Sequence, residues 1–157
     1  MIRYETQAPL SPAWLAETVR RVAENSGEWI GLVRYDAEDR WYCRLARDEE
    51  HEVWLLSWLP GQRTGFHDHG ASAGAFAVAR GSLREHAAPG GRPDRVGTTY
   101  PAGTVKAFGT HYVHDVTNAS ALPTVSVHAY SPPLATMRRF AVSPAGLLFT
   151  TGEEVIQ

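Results

Sequence analysis

From Ser11 onward, apolar positions first recur at helical spacing and then switch to alternation. Trp14, Leu15, Thr18, Val19 and Val22 fall three and four residues apart, the interval that puts side chains on one helical face. Ser11 is suited to N-cap this helix with Pro12 as its first residue, and Asn25-Ser26-Gly27 ends it. Short runs rich in β-branched and aromatic residues then follow at about 41–47, 53–59, 74–80, 95–100, 103–108, 111–117, 124–130 and 138–142. Turn signals separate them: Pro60-Gly61, Arg80-Gly81-Ser82, Pro89-Gly90-Gly91, Pro101-Ala102-Gly103, Asn118-Ala119-Ser120 and Ser131-Pro132-Pro133. Strands at this spacing predict an all-β antiparallel sandwich or barrel. The pattern gives a single domain over 1–157, with a helical segment at about 11–26 packed on a barrel at about 40–151. There is no repeat, no low-complexity tract and no dividing linker.

Composition agrees with a cored domain: of 157 residues, 43% are hydrophobic and 20% charged. Fifteen Lys and Arg stand against 17 Asp and Glu, a net charge of −2. No basic patch supports a nucleic-acid or anionic-membrane partner. No apolar run approaches the ~20 residues of a membrane-spanning helix, and the N-terminus MIRYETQAPL lacks a secretory signal's apolar stretch. The single cysteine, Cys43, excludes an intrachain disulfide and fits a reducing cytoplasm, the expected location. It alternates with Arg44 and is expected to face the core as a small hydrophobe.

The unusual residue type is histidine. Two of the seven form His67-Asp68-His69, and four more lie between Glu85 and Tyr130. Residues two apart in an extended chain share a face, so His67 and His69 can meet one metal ion while Asp68 points away. Alone, a pair of hydrogen-bonded histidines accounts for this spacing equally well. Ser126, His128 and Tyr130 stand at i, i+2 and i+4, so one strand would carry all three on one face. A half-buried strand with Val125, Val127 and Ala129 on its core side explains the alternation equally well. It does not explain why Ser, His and Tyr share the other side.

The surroundings of the histidines add a resemblance. Gly61, His67, His69 and Gly81 resemble the first motif of the cupin superfamily, G-x5-H-x-H-x4-E-x6-G, with Gly74 at the usual glutamate position. Pro101-x-Gly103 and His114-Asp115-Val116-Thr117-Asn118 resemble the second motif, although the gap between Gly103 and His114 is longer than the pattern expects. Together, HDHGASAGAFAVARGSLREH and the later SVHAYSPP are similar to the cysteine dioxygenase family of thiol dioxygenases, over about Tyr42 to Phe140. The implied fold is a jelly-roll-like cupin barrel. The implied activity is the iron(II)-dependent oxidation of L-cysteine to its sulfinate with O2.

Carried over residue by residue, the resemblance makes His67, His69 and His114 the ligands of Fe(II). It makes Ser126, His128 and Tyr130 a relay beside the metal, with His128 behind the ligands rather than on the ion. Arg44, in Tyr42-Cys43-Arg44, corresponds to the arginine that holds the substrate carboxylate, with Tyr42 on the same strand face. The chemistry is sensible in itself, because neutral imidazoles suit first-row metals. A metal also lowers the pKa of a bound thiol, ordinarily about 8.5. Arg44 serves this role only if it turns into the barrel mouth, where its fork can bind a carboxylate. Some family members carry a cysteine at the position of Gly74 that cross-links to the relay tyrosine. Gly74 forbids that link.

The remaining candidates are weaker. His51, His86 and His111 read as structural or exposed, and Trp58 and Phe66 as pocket walls. The expected partners are a small thiol and O2, with no nucleic acid or membrane, and a monomer is expected. Three alternatives stand beside cysteine. One is another thiol such as 3-mercaptopropionate, although glutamine is typical of that branch where Arg44 stands here. Another is a non-catalytic metal-binding cupin sensor. The third is a zinc or nickel cupin hydrolase or isomerase, which would ordinarily keep the missing glutamate.

Overall fold

Helix α1 spans Pro12–Glu24 and begins as the sequence predicts, with the Ser11 hydroxyl accepting from the Trp14 N–H at 3.1 Å. It stops at Asn25, whose N–H closes back on the carbonyls of Arg21 and Val22. Residues 8–156 are described by this computed structural model. Leu15, Thr18 and Val19 are the buried face of the helix. Trp14 lies at the margin of that stripe, 42% exposed, with its ring edge against His51.

Ten strands follow: β1 (Trp41–Arg47), β2 (Glu52–Trp58), β3 (Ala73–Arg80), β4 (Ser82–Ala87), β5 (Thr98–Pro101), β6 (Val105–Phe108), β7 (His114–Thr117), β8 (Thr124–Ser131), β9 (Thr136–Val142) and β10 (Leu148–Val155). They form a five-stranded sheet in the order β1-β2-β8-β3-β6, a three-stranded sheet β5-β4-β7 and a β9–β10 hairpin, every pairing antiparallel. The two larger sheets face each other across Trp58, Phe76, Val78, Leu83, Phe108 and Val116. This is a jelly-roll-like sandwich whose sheets do not close into a continuous barrel. Among the described residues no helix is long and apolar enough to cross a membrane.

The outer face of the large sheet is covered by α1. Leu15 and Val19 pack with Val53, Leu55, Ala75, Val125, Val127 and Ala129 into a second core. Burying an aliphatic side chain of this size is worth about 1.5–3 kcal/mol, so the helix clamps the sheet from outside. The central strand β8 is therefore buried on both faces rather than half-buried. Its Val125, Val127 and Ala129 meet the helix, and Ser126, His128 and Tyr130 project into the space between the sheets.

Two strands fall outside the eight predicted runs. β4 carries Leu83 and Glu85 as its inward residues, so its alternation is broken by an acid. β10 pairs only with β9 and is almost wholly exposed, so it has no apolar face to read. The run at 111–117 shortens to β7 because His111 sits in a left-handed turn at φ 61°. Gly81 joins β3 to β4 at φ 75°, and a Cβ there would lie 2.7 Å from the Pro123 carbonyl and closer still to the Thr124 hydroxyl. Only glycine fits that turn.

Candidate metal centre

His67 and His69 lie between β2 and β3, in extended chain that belongs to no regular strand. An isolated antiparallel bridge holds His67 against His114, the first residue of β7, so register rather than a strand places the pair. His67 Nδ1 lies 2.8 Å from the Gly65 carbonyl, and His114 Nδ1 lies 2.8 Å from Glu85 Oε2. Each Nδ1–H is thus committed to an acceptor, which leaves each Nε2 lone pair free. The His69 ring lies against Phe108 and Tyr130, with centroids 5.0 Å away in both cases.

One candidate ligand atom from each of His67, His69 and His114 falls within a common 4.8 Å, and all three side chains are buried. The Nε2 atoms of His67 and His69 are 3.1 Å apart. That is about the separation of two imidazole nitrogens sharing one ion at roughly right angles, with bonds near 2.0–2.1 Å. Burial holds His67 and His69 well below the usual histidine range, and the neighbouring imidazoles add to the effect. His67 and His69 are therefore neutral at pH 7, the form a metal binds. Three buried, convergent imidazoles fit a first-row divalent ion.

Asp68 turns away, as predicted. Its carboxylate accepts from the Arg138 main chain at 3.0 Å, from Arg138 Nε at 2.8 Å and from the Gly70 N–H at 3.2 Å. Glu85 was not singled out by the sequence. It reaches His114 across the β4–β7 pairing, in which Ala87 lies opposite His114 and Glu85 is the diagonal neighbour on the same face. Burial works to raise its carboxyl. The hydrogen bond and charge of His114, with Tyr112 and Lys106, outweigh that and hold it below the ordinary range. The signal available was an acid alternating with Leu83 in an otherwise inward pattern, 29 residues from its partner.

On β8, Ser126 Oγ lies 2.7 Å from His128 Nε2 and accepts from the Trp58 indole N–H at 2.8 Å. The serine thus accepts on one side, and its hydroxyl proton is available to His128. Burial, with the charges of His114 and Arg40 adding, pushes His128 down to about 3. Tyr130 packs on His69, and burial raises its phenol above the ordinary value while the Arg40 charge opposes the rise. Gly74, opposite Tyr130 in the β3–β8 register, has no room for a side chain. A Cβ there would lie 2.6 Å from two Phe108 ring carbons and 3.1 Å from Tyr130 Cδ1.

Tyr42 and Arg44 stay at the rim. β1 is an edge strand separated from β8 by β2, and in register Arg44 lies opposite Trp54, which lies opposite His128. Trp54 fills the space between. The Arg44 guanidinium lies over its ring at 5.6 Å and 4.0 Å from Glu52, and Tyr42 is 63% exposed. Arg40, just before β1, lies over the Trp58 ring at 5.1 Å, and the Arg139 main chain bridges to His67. Of the other histidines, His51 bonds Asp48, His86 bonds the Asp94 carbonyl, and His111 is exposed. Cys43 packs half-buried against the outer core. Trp58 walls the site, whereas Phe66 borders a separate hollow with His86 and Val142.

Among curated proteins, no sequence matches this chain. Solved structures share its fold. A Thermus thermophilus protein, TT1209, superposes with a TM-score of 0.58 at 21% identity, over 66% of this chain and 93% of its own. A Klebsiella pneumoniae protein with a double-stranded β-helix domain gives 0.58 at 17%, over 82% and 93%. A cupin superfamily protein from Desulfitobacterium hafniense gives 0.55 at 10%, over 66% and 87%. These place the chain in the cupin fold, which carries varied functions. The family model for cysteine dioxygenase type I matches residues 14–143, from the first turn of α1 past the end of β9, and the chain belongs to that family.

Proposed function

We propose that the protein is an iron(II)-dependent thiol dioxygenase that converts L-cysteine to cysteine sulfinate. The observation that carries this reading is the buried set His67, His69 and His114, with Ser126, His128 and Tyr130 beside it, in a chain of this family. The net reaction is RSH + O2 → RSO2H. Both oxygen atoms end on sulfur, which gives up four electrons, and O2 takes up four, so no further reductant is required. His67, His69 and His114 would hold the iron, whose chemistry there is to favour the substrate thiolate and bring O2 to it.

The chain's own residues do the rest. Gly65 and Glu85 fix the tautomers of His67 and His114. Ser126, itself held by the Trp58 indole, keeps His128 in place, and burial keeps it neutral. The Tyr130 phenol stays protonated and is a hydrogen-bond donor to the reacting group. Phe76, Phe108 and Trp58 keep water from the reacting atoms. The deciding experiment is O2 uptake by the iron(II)-loaded protein with L-cysteine, 3-mercaptopropionate and cysteamine, with the product identified by mass spectrometry. Stoichiometric sulfinate from L-cysteine is the expected result. A protein that binds one iron(II) yet consumes no O2 with any thiol is a metal-binding cupin and not this enzyme.

A further inference from the structure

We propose that Asp68 and Arg138 are positioning residues for the metal centre, through which the C-terminal hairpin fixes the directions of His67 and His69. The proposal rests on the reading of the three histidines as a metal site. His67 and His69 sit in extended chain between β2 and β3 that belongs to no regular strand. β7 holds one side of that segment, through the main-chain bonds of Thr64 with Val116 and of His67 with His114. β9 holds the other side. The Phe140 N–H donates to the Phe66 carbonyl and the Asp68 N–H to the Arg138 carbonyl, each at 3.0 Å, which places Arg139 opposite His67. A Cβ on Gly70 would lie 2.6 Å from Thr136 Oγ1, so the contact runs on to the first residue of β9.

The ladder changes partner at Asp68. In a regular antiparallel pair the next bond would run from the Arg138 N–H to the Asp68 carbonyl. Here the Asp68 side chain takes it, with Oδ1 3.0 Å from the Arg138 nitrogen. Oδ1 also accepts from the Gly70 N–H at 3.2 Å, while Oδ2 accepts from Arg138 Nε at 2.8 Å and lies 2.7 Å from Nη2. A fully buried carboxylate is thus matched by donors and by the guanidinium charge. The guanidinium is steadied in turn over the Phe140 ring, with Cζ 5.6 Å from the centroid. Beside it, Arg139 Nη1 donates to the Thr64 carbonyl at 3.1 Å and Arg139 Nε to Glu154 Oε1 at 2.6 Å, which ties β10 to the same segment. Asp68 stands between the two histidines, and its side chain points opposite to theirs. Fixing it fixes the backbone from which both imidazoles start, and with it the 3.1 Å between their Nε2 atoms. Ligands already in place lose little freedom when an ion binds, and groups that orient ligands typically contribute 10–100-fold to metal affinity.

The test compares Asp68→Asn, Arg138→Lys and Arg138→Gln in the full chain, with cobalt(II) as the probe because its d–d absorption reports the directions of its ligands. Affinity is measured by competition with a chelator, and melting temperature is measured without metal. Each variant is expected to bind cobalt(II) at least tenfold more weakly and with a shifted d–d spectrum. Arg138→Lys, which keeps the charge without the fork, is expected to lose less than Arg138→Gln. The double variant Asp68→Asn with Arg138→Gln is expected to lose no more than the larger single loss, as for two residues acting through one contact. Asp68→Asn keeps an oxygen for the Arg138 and Gly70 N–H groups, so it carries the test if the Arg138 variants do not fold. A pair that only supports the fold lowers the metal-free melting temperature and leaves affinity and spectrum at wild-type values, and that result overturns the proposal. Purely additive losses overturn it too. If the wild type binds no cobalt(II), the reading of the centre as a metal site fails and the proposal with it, whereas a wild type that binds and variants that match it overturn the proposal alone.

Discussion

His67 and His114 exchange both main-chain hydrogen bonds, at 3.0 and 3.1 Å, although 47 residues separate them in the chain. This bridge brings two imidazoles from different segments to one point with little freedom left to lose on metal binding. His114→Ala is accordingly expected to lose bound metal, whereas His128→Ala is expected to keep it, since His128 is bonded to Ser126 behind the ligand set. Metal analysis of the two purified variants separates the roles. The opposite pattern exchanges the assignments.

Glu85 is expected to set the affinity of the centre through His114. A carboxylate on Nδ1–H fixes the tautomer and makes Nε2 a better donor, and loss of such a partner typically costs 10–100-fold in metal affinity. Glu85→Gln keeps an acceptor but removes the charge, so its affinity should fall toward the lower end of that range. Competition with a chelator measures it. An affinity equal to that of the wild type would show that the carboxylate charge contributes nothing.

Tyr130→Phe should fold and bind metal normally, because the ring packing on His69 needs no hydroxyl. Turnover should fall about 10–100-fold, the size expected for a single hydrogen-bond partner near the reacting group. Unchanged turnover and an unchanged ratio of sulfinate to O2 would remove the phenol from the chemistry.

Acid should destabilise the metal-free fold through His128. Its folded pKa of about 3 lies below the ordinary 6.5, so the unfolded chain takes up the proton first. The stability it contributes is complete above pH 6.5 and is lost progressively as pH falls toward 3. At pH 5 the loss is about 2 kcal/mol. Urea unfolding at pH 7 and pH 5 should show a drop about 2 kcal/mol larger in wild type than in His128→Gln. Equal drops would mean that His128 is not held neutral by the fold.

The parts of the molecule legible in the sequence were those with local periodicity. The Ser11-Pro12 start of α1 and the Ser-x-His-x-Tyr face of β8 depend on neighbours a few residues away. Glu85 was hidden because its partner is set by strand pairing, and a lone acid in an alternating run reads as solvent-facing. Arg44 shows the limit of alternation, which gives the face of a strand but not how far that strand stands from the chemistry.

The Phe108 ring that fills the space above Gly74 also bears on how this protein's donor set could change over evolutionary time. A carboxylate ligand at position 74 is a single codon change away on paper, yet its first carbon would collide with a ring already packed on His69. Gly74→Glu alone should therefore fold poorly, and Gly74→Glu with Phe108→Gly should fold better and bind metal with altered selectivity, as melting curves and metal competition would report. The intermediate with only Phe108 removed leaves a cavity, which destabilises the core by about 3–5 kcal/mol for a phenylalanine. Both single steps cost stability, so positions 74 and 108 are coupled: a carboxylate ligand at 74 requires both residues to change together.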